Sequence, residues 1–324
     1  MRRIGLYLSV ILLVAAIAPA FPATASTSAH CGNPRLPAGD YTERDWPLIQ
    51  HKPDGTPVAR TFNIHVPPQV EHQAVPVVFD LHGALSNKTE QDTRTRLRDK
   101  GKEAGFLTIQ PDSWPHWTTS AKDEAERGLS DIEFARRLLD TATEHFCVDP
   151  SRIYAVGFSS GGLMSTILAC AGVNNKLGDY RLVAIGVVAA APIPDAHTGG
   201  ICPSLAQQPI PTRVVFSHND QTLAWLCCQG NVESMTAQVH SATSMWAREN
   251  GCTGASTTDL TGRTGWGVLT QTVRHQCPAG NSVIVDTFDT GSPLRNGHVW
   301  PGAAYGGEYA TTDVLWNFLS QYSL

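Results

Sequence analysis

The feature that most constrains this chain is an alternation. Short, almost wholly apolar runs take turns with longer segments of helical periodicity. The apolar runs are "PVVFDLHG" (Pro76–Gly83), "FLTIQP" (Phe106–Pro111), "RIYAVG" (Arg152–Gly157), "LVAIGVVAA" (Leu182–Ala190), "TRVVFS" (Thr212–Ser217) and "VIVDTF" (Val283–Phe288). A strand apolar on both faces must be covered on both faces, which is the signature of a parallel sheet between helical layers. Helical segments lie between these strands. In "SDIEFARRLLDTATEHF" Ser130 is a capping residue, and Ile132, Ala135, Leu139, Ala142 and Phe146 fall on one helical face. "SGGLMSTILACAG", "SMTAQVHSATSMWAREN" and "YATTDVLWNFLSQY" read as further helices, and "NKTEQDTRTRLRDKGKEAG" as helical over part of its length. The expectation is a single-domain α/β fold with a mostly parallel central sheet. No repeat, low-complexity tract or Ser/Thr/Pro linker marks a second module.

The two ends of this pattern differ from its middle. Arg2 and Arg3 precede an apolar run, and Ala-x-Ala sites end at Ala20 or Ala25. The apolar run is about 15 residues, short of the roughly 20 that span a bilayer. Residues 1–25 therefore read as a secretory signal, 26–57 as a Pro- and Gly-rich arm, and 58–324 as the folded domain. Net charge is −5 with no basic run, so neither a nucleic acid nor a membrane is an expected partner. We expect an extracellular monomer.

Eight cysteines suit an exported chain. No Cys-x-x-Cys pair or Cys/His zinc spacing occurs, so no metal and no cofactor is expected. Connectivity is not legible in a sequence. The working pairing is Cys252–Cys277, Cys170–Cys202 and Cys31–Cys147. Cys227 and Cys228 are adjacent, and a vicinal disulfide or two separate thiols fit equally. Asn87-Lys88-Thr89 is a glycosylation sequon.

One motif carries chemistry. Gly157-Phe158-Ser159-Ser160-Gly161 fits G-x-S-x-G between a strand run and a helical run, the setting of a nucleophile elbow. Ser159 would then stand at a helix N-terminus, where dipole and free N–H groups favour a developing anion. A plain glycine-rich turn with a capping serine is the alternative. A serine nucleophile needs a base, and the base an orienting acid, in the chain order Ser, Asp or Glu, His. Among His197, His218, His240, His275 and His298, only His298 lies in a loop past the last strand, in "RNGHVWPG". Asp220 follows "TRVVFS" by a short turn and is the expected acid, with Asp286, Asp289 and Asp195 as rivals. Backbone N–H groups of Ser160 and of Ala84, in "DLHGALS", would form the oxyanion hole. Trp114, Trp117 and Trp300 are candidates for lining an acyl pocket, with core packing as the alternative.

The segments "LHGALSN", "DIEFARRLLD…CVDPSRIYAVGFSSGGLMS", "LAC", "DQTLAW", "ENGC" and "NGHVWPG" resemble, in content and order, secreted esterases of the polyhydroxybutyrate-depolymerase and feruloyl-esterase group. The resemblance runs from about Arg60 to Leu324. It implies an α/β-hydrolase fold, a catalytic triad of Ser159, Asp220 and His298, and hydrolysis of carboxylic esters through an acyl-enzyme. Plant-cell-wall-type feruloyl or acetyl esters are the expected substrates. A polyhydroxyalkanoate depolymerase is the alternative, and an inactive polymer-binding homologue a further one. Cysteine placement at Cys31, Cys147, Cys170, Cys202, Cys252 and Cys277 is also similar to fungal feruloyl esterases. The chain departs from the group where its acid loop begins with Phe216-Ser217 rather than His-Gly, and at Cys227–Cys228.

Overall fold

The computed structural model describes Cys31 and residues 33–192, 205–260, 262–263, 265–291, 296–303 and 306–324. The expected secretory signal, Asp195, His197 and Cys202 lie outside the described residues.

In chain order the first strands are β1 (Gly39–Thr42), β2 (Leu48–His51), β3 (Pro57–Arg60), β4 (Phe62–Val66), β5 (Val75–Leu81) and β6 (Leu107–Pro111). They are followed by β7 (Val148–Phe158), β8 (Ala184–Val188), β9 (Thr212–Ser217), β10 (Ala255–Asp259), β11 (Trp266–His275) and β12 (Val283–Thr290). Ten of them form one sheet in the order β1-β4-β6-β5-β7-β8-β9-β12-β11-β10, and β2 pairs with β3 apart from it. The centre, from β6 through β12, is parallel. Antiparallel strands extend both sides.

The apolar runs read from the sequence are the parallel centre, and β5, β6 and β8 are buried at every position. Side-chain alternation along β7 divides the core between the two faces of the sheet. Ile153 and Ala155 join one cluster with residues of α4 (Asp131–His145), α5 (Ser160–Val173) and α7 (Val232–Glu249). Tyr154, Val156 and Phe158 join the other with α2 (Leu97–Ala104) and α8 (Thr311–Leu319). In α4 Ser130 is the N-cap, accepting from the Glu133 amide at 3.3 Å. The segment Asn87–Gly105 is two helices, α1 (Lys88–Thr95) and α2, because Arg96 between them adopts φ 52°.

Two regions go beyond the sequence reading. Part of the N-terminal arm is sheet, with β1 pairing to β4 from Gly39↔Val66 to Thr42↔Asn63. At the far side β10 and β11 form a hairpin onto β12, and β10 is exposed at every residue. Two short helices, α3 (Ala121–Arg127) and α6 (Gln221–Cys228), complete the set among the described residues.

Cys31–Cys147 ties the arm to the start of β7, and Cys252–Cys277 ties the end of α7 to the end of β11. Cys170 is disulfide-bonded as well. Cys227 and Cys228 are joined to each other at the end of α6. No described cysteine is free.

Candidate active site

The elbow sits in the middle of the sheet. Phe158 ends β7, Ser160 begins α5, and Ser159 between them has φ 54° and ψ −120°. Positive φ at a residue with a Cβ is uncommon and persists where the surroundings over-determine it. Here they do. A Cβ on Gly157 would lie 2.0 Å from the Gly161 carbonyl oxygen, and one on Gly161 would lie 2.1 Å from that of Leu81. Only glycines let β7, α5 and β5 approach so closely. The Ser159 amide donates to Val188 O at 2.8 Å, fastening the turn to β8. The two serines then differ. Ser159 is half-buried at the tip, whereas Ser160 Oγ is buried without a hydrogen-bond partner.

Two strands away, β9 ends at Ser217 and Asp220 becomes the N-cap of α6. Its Oδ1 accepts from the Leu223 amide at 2.8 Å, and its Oδ2 lies 2.8 Å from His298 Nδ1. Asp220 is fully buried and the His298 side chain 13% exposed. Asp220 Oδ2 accepts the hydrogen bond of Nδ1–H, which keeps the proton on Nδ1 and leaves Nε2 as the basic nitrogen. The His298 loop is held against the acid loop by backbone. The Gln221 amide donates to Asn296 O at 2.7 Å, and Gly297, at φ 77°, comes so close that a Cβ would sit 2.4 Å from Asn219 O. The His298 ring packs on Phe158, centroids 4.8 Å apart. No hydrogen bond joins Ser159 Oγ to His298, whose Nδ1 faces Asp220.

The rival acids are engaged elsewhere. Asp286 is buried and accepts from Arg213 Nε at 2.7 Å, Thr272 Oγ1 at 2.7 Å and the Tyr309 hydroxyl. Burial, reinforced by Asp286, pushes the Tyr309 phenol well above its usual range. Asp289 accepts the Gly265 and Gly291 amides, with His218 Nε2 at 3.8 Å from it. His240 lies in α7, packed edge-on against Phe216, and burial lowers its pKa.

On the other side of Ser159 is the strap His82–Leu85, which follows β5. A Cβ on Gly83 would meet Ser159 Cβ at 3.4 Å. The strap is gripped by a loop running from Asp112 to Thr118. The Ser113 amide donates to His82 Nε2 at 3.0 Å, Trp117 Nε1 donates to His82 O at 2.7 Å, and the Leu85 amide donates to Pro115 O at 2.7 Å. The loop hangs in turn on Asp131, which is 1% exposed. Asp131 accepts from Ser113 Oγ at 2.9 Å and from the Thr118 amide at 2.7 Å, and pairs with Arg60 at 2.6 Å. Arg127 adds bonds to the carbonyls of His116 and Trp114. Sequence reasoning missed this support. Arg60 and Asp131 are 71 residues apart, and a buried ion pair has no local signature.

The three tryptophans separate. Trp114 is 63% exposed, but Trp117 and Trp300 are 1% and 0% exposed. Trp117 holds the strap, and Trp300 Nε1 donates to Thr312 Oγ1 at 3.0 Å. Contrary to the pocket-lining expectation, these two are core residues, and only Trp114 is presented to solvent. Among the described residues no group of His, Cys, Asp and Glu could hold a metal ion, and no helix is long and apolar enough to cross a membrane.

Residues 62–184 match the BD-FAE family model. The chain is 29% identical to the putative esterase NocK of Nocardia uniformis subsp. tsuyamanensis, over 60% of this chain and 61% of that one. It is 28% identical to feruloyl esterase B of Piromyces equi, over 78% of this chain and 43% of that one. It thus spans less than two thirds of the length of these relatives. An acetyl xylan esterase from Aspergillus awamori has the same fold, with TM-score 0.50 and 14% identity over 73% of this chain and 90% of that one. The chain is thus similar in sequence to esterases, feruloyl esterases among them, and has an α/β-hydrolase fold.

Proposed function

We propose that this chain is a serine carboxylic-ester hydrolase with Ser159, His298 and Asp220 as its triad. The observation that carries the reading is the Asp220 Oδ2 to His298 Nδ1 contact of 2.8 Å, formed by loops beside a glycine-locked elbow. His298 Nε2 removes the Ser159 proton as Ser159 Oγ attacks the ester carbonyl. The resulting oxyanion is received by the Ala84 and Ser160 N–H groups. His298 then returns the proton to the leaving alcohol, and water repeats the sequence on the acyl-enzyme. Asp220 holds the ring and balances its transient positive charge. The relatives named as feruloyl and acetylxylan esterases support feruloyl or acetyl esters of cell-wall polysaccharides as substrates. The disulfides are compatible with an extracellular site of action. We take the working species to be a monomer.

A fluorophosphonate probe tests the reading. It should label Ser159 stoichiometrically and block hydrolysis of soluble esters, and an unlabelled protein or a label elsewhere would sink it. A panel of acetyl, butyryl, feruloyl and hydroxybutyryl esters then ranks the acyl group. Preference for hydroxybutyryl esters would favour polyester over cell-wall substrates.

A further inference from the structure

We infer that His82 is a positioning residue that aims the oxyanion donor, an inference that rests on the serine-esterase reading above. His82 is wholly buried at the end of β5, and both ring nitrogens are engaged. The Ser113 amide donates to Nε2 at 3.0 Å, and an N–H cannot accept, so Nε2 presents its lone pair. The ring proton is therefore on Nδ1, which lies 2.7 Å from the Gly83 carbonyl oxygen and donates to it. Asp112 Oδ1 stands 3.2 Å from Nε2, but a carboxylate facing a lone pair makes no hydrogen bond, so the amide of Ser113 sets the tautomer.

The bond to Gly83 O has a consequence one atom further on. A peptide unit is planar and trans, so the Gly83 carbonyl and the Ala84 N–H point in opposite directions. Fixing the carbonyl fixes the direction of the N–H. The Ala84 amide has no protein acceptor among the described residues, and Gly83 lies against Ser159. The strap cannot drift as a whole, because Trp117 holds His82 O on one side of this peptide and Pro115 O holds the Leu85 amide on the other. The Asp112–Thr118 loop thereby sets one donor of the oxyanion hole through the imidazole of His82, without touching substrate itself.

A buried histidine that merely satisfies its own nitrogens would show the same bonds, so the test separates aim from stability. In His82→Asn the side-chain amide sits near the place of Nδ1 and can still donate to Gly83 O, but does not reach Ser113. In His82→Gln the side chain reaches the place of Nε2 and can accept from Ser113, but leaves Gly83 O unheld. Both should lower Tm. On one soluble ester, His82→Asn should keep kcat within about threefold of wild type. His82→Gln should lose kcat by about tenfold to a hundredfold at unchanged KM, less than the roughly 10²–10³ that follows outright loss of a donor. Equal losses in both, a loss carried by KM, or an unimpaired Gln variant would overturn the inference. Whether or not both variants fold, the ¹⁵N signals of His82 in the wild-type protein test the bond to Gly83 O on which the inference stands. The Nδ1–H tautomer is expected at pH 7, and an Nε2–H tautomer overturns the inference. Wild-type protein that neither reacts with fluorophosphonate nor hydrolyses esters sinks the serine-esterase reading itself. Labelled, active wild type with unsplit variants sinks only the role of His82.

Discussion

The two flanks of Ser159 are built differently. The strap flank is fastened by buried side chains, with charge at the root: Arg60 on Asp131, Asp131 on Ser113 and Thr118, and the ring of His82 above them. The acid–base flank is fastened largely by backbone, through Gln221 to Asn296 and through the contact of Gly297 with Asn219. Removing a side chain from the first flank should therefore cost stability before chemistry. Removing one from the second should cost chemistry before stability. Ser159 at the seam belongs to neither and gives the reference point.

The largest effect expected is at that seam. Ser159→Ala should lower kcat by about 10⁶ while Tm stays within a few degrees of wild type, because a half-buried hydroxyl at a turn leaves no core cavity. Retained turnover would place the nucleophile elsewhere. On the acid–base flank Asp220→Asn should cost about 10⁴ in kcat, since an amide holds His298 in the wrong tautomer while still able to cap α6. Asp286→Asn is the contrast. It weakens the buried contacts to Arg213, Tyr309 and Thr272 and should lower Tm far more than specific activity. If the two variants exchange behaviours, Asp286 is the acid.

On the strap flank Asp131→Asn should destabilise the protein by about 3–5 kcal/mol, the usual cost of leaving a buried partner charge uncompensated. Chemical denaturation reads this directly, and a change below about 1 kcal/mol would mean that the loop is not hung on that pair. A smaller effect on the same flank is pH-dependent. Asp80 in β5 is fully buried, with Gln91, Thr95 and Gln110 donating to it, and desolvation pushes its pKa from 3.8 up to about 6. Folding therefore disfavours its ionised form. The penalty is absent below the unfolded value, grows between about pH 4 and pH 6, and is constant above. Relative to Asp80→Asn, wild-type stability should fall by about 2–3 kcal/mol from pH 4 to pH 7. A pH-independent difference would show that the fold does not shift the Asp80 pKa.

This contrast also explains what a reader of the sequence can and cannot see. The parallel centre was legible because strands buried on both faces leave long apolar runs, and α4 because Ser130 and its apolar face are local signals. Ser159 and Asp220 could be picked out as candidates because each stands where a strand run ends and a turn begins, and His298 because its loop follows the last strand run. The strap's support was not, since its bonds join residues far apart in the chain. Trp117 and Trp300 were ambiguous for a related reason. An indole next to a candidate site in sequence lines a pocket or fills the core according to where its N–H is satisfied, and only the tertiary structure supplies His82 O and Thr312 Oγ1. Strand β10 escaped because Ala255–Asp259 carries no apolar alternation.

That last strand bears on how the molecule behaves in company. A ten-stranded sheet has two open edges, each a row of unpaired amides and carbonyls able to template another chain. One edge is β1, four residues long. The other is β10, Ala-Ser-Thr-Thr-Asp, exposed throughout and ending in a carboxylate. Brevity guards one margin, and hydration with charge guards the other. The same backbone carrying valines at Thr257 and Asp259 would be an adhesive margin, and concentrated solutions would gel or precipitate through sheet-to-sheet joining. The polar, featureless look that hid this strand from sequence reading is what keeps the sheet finite.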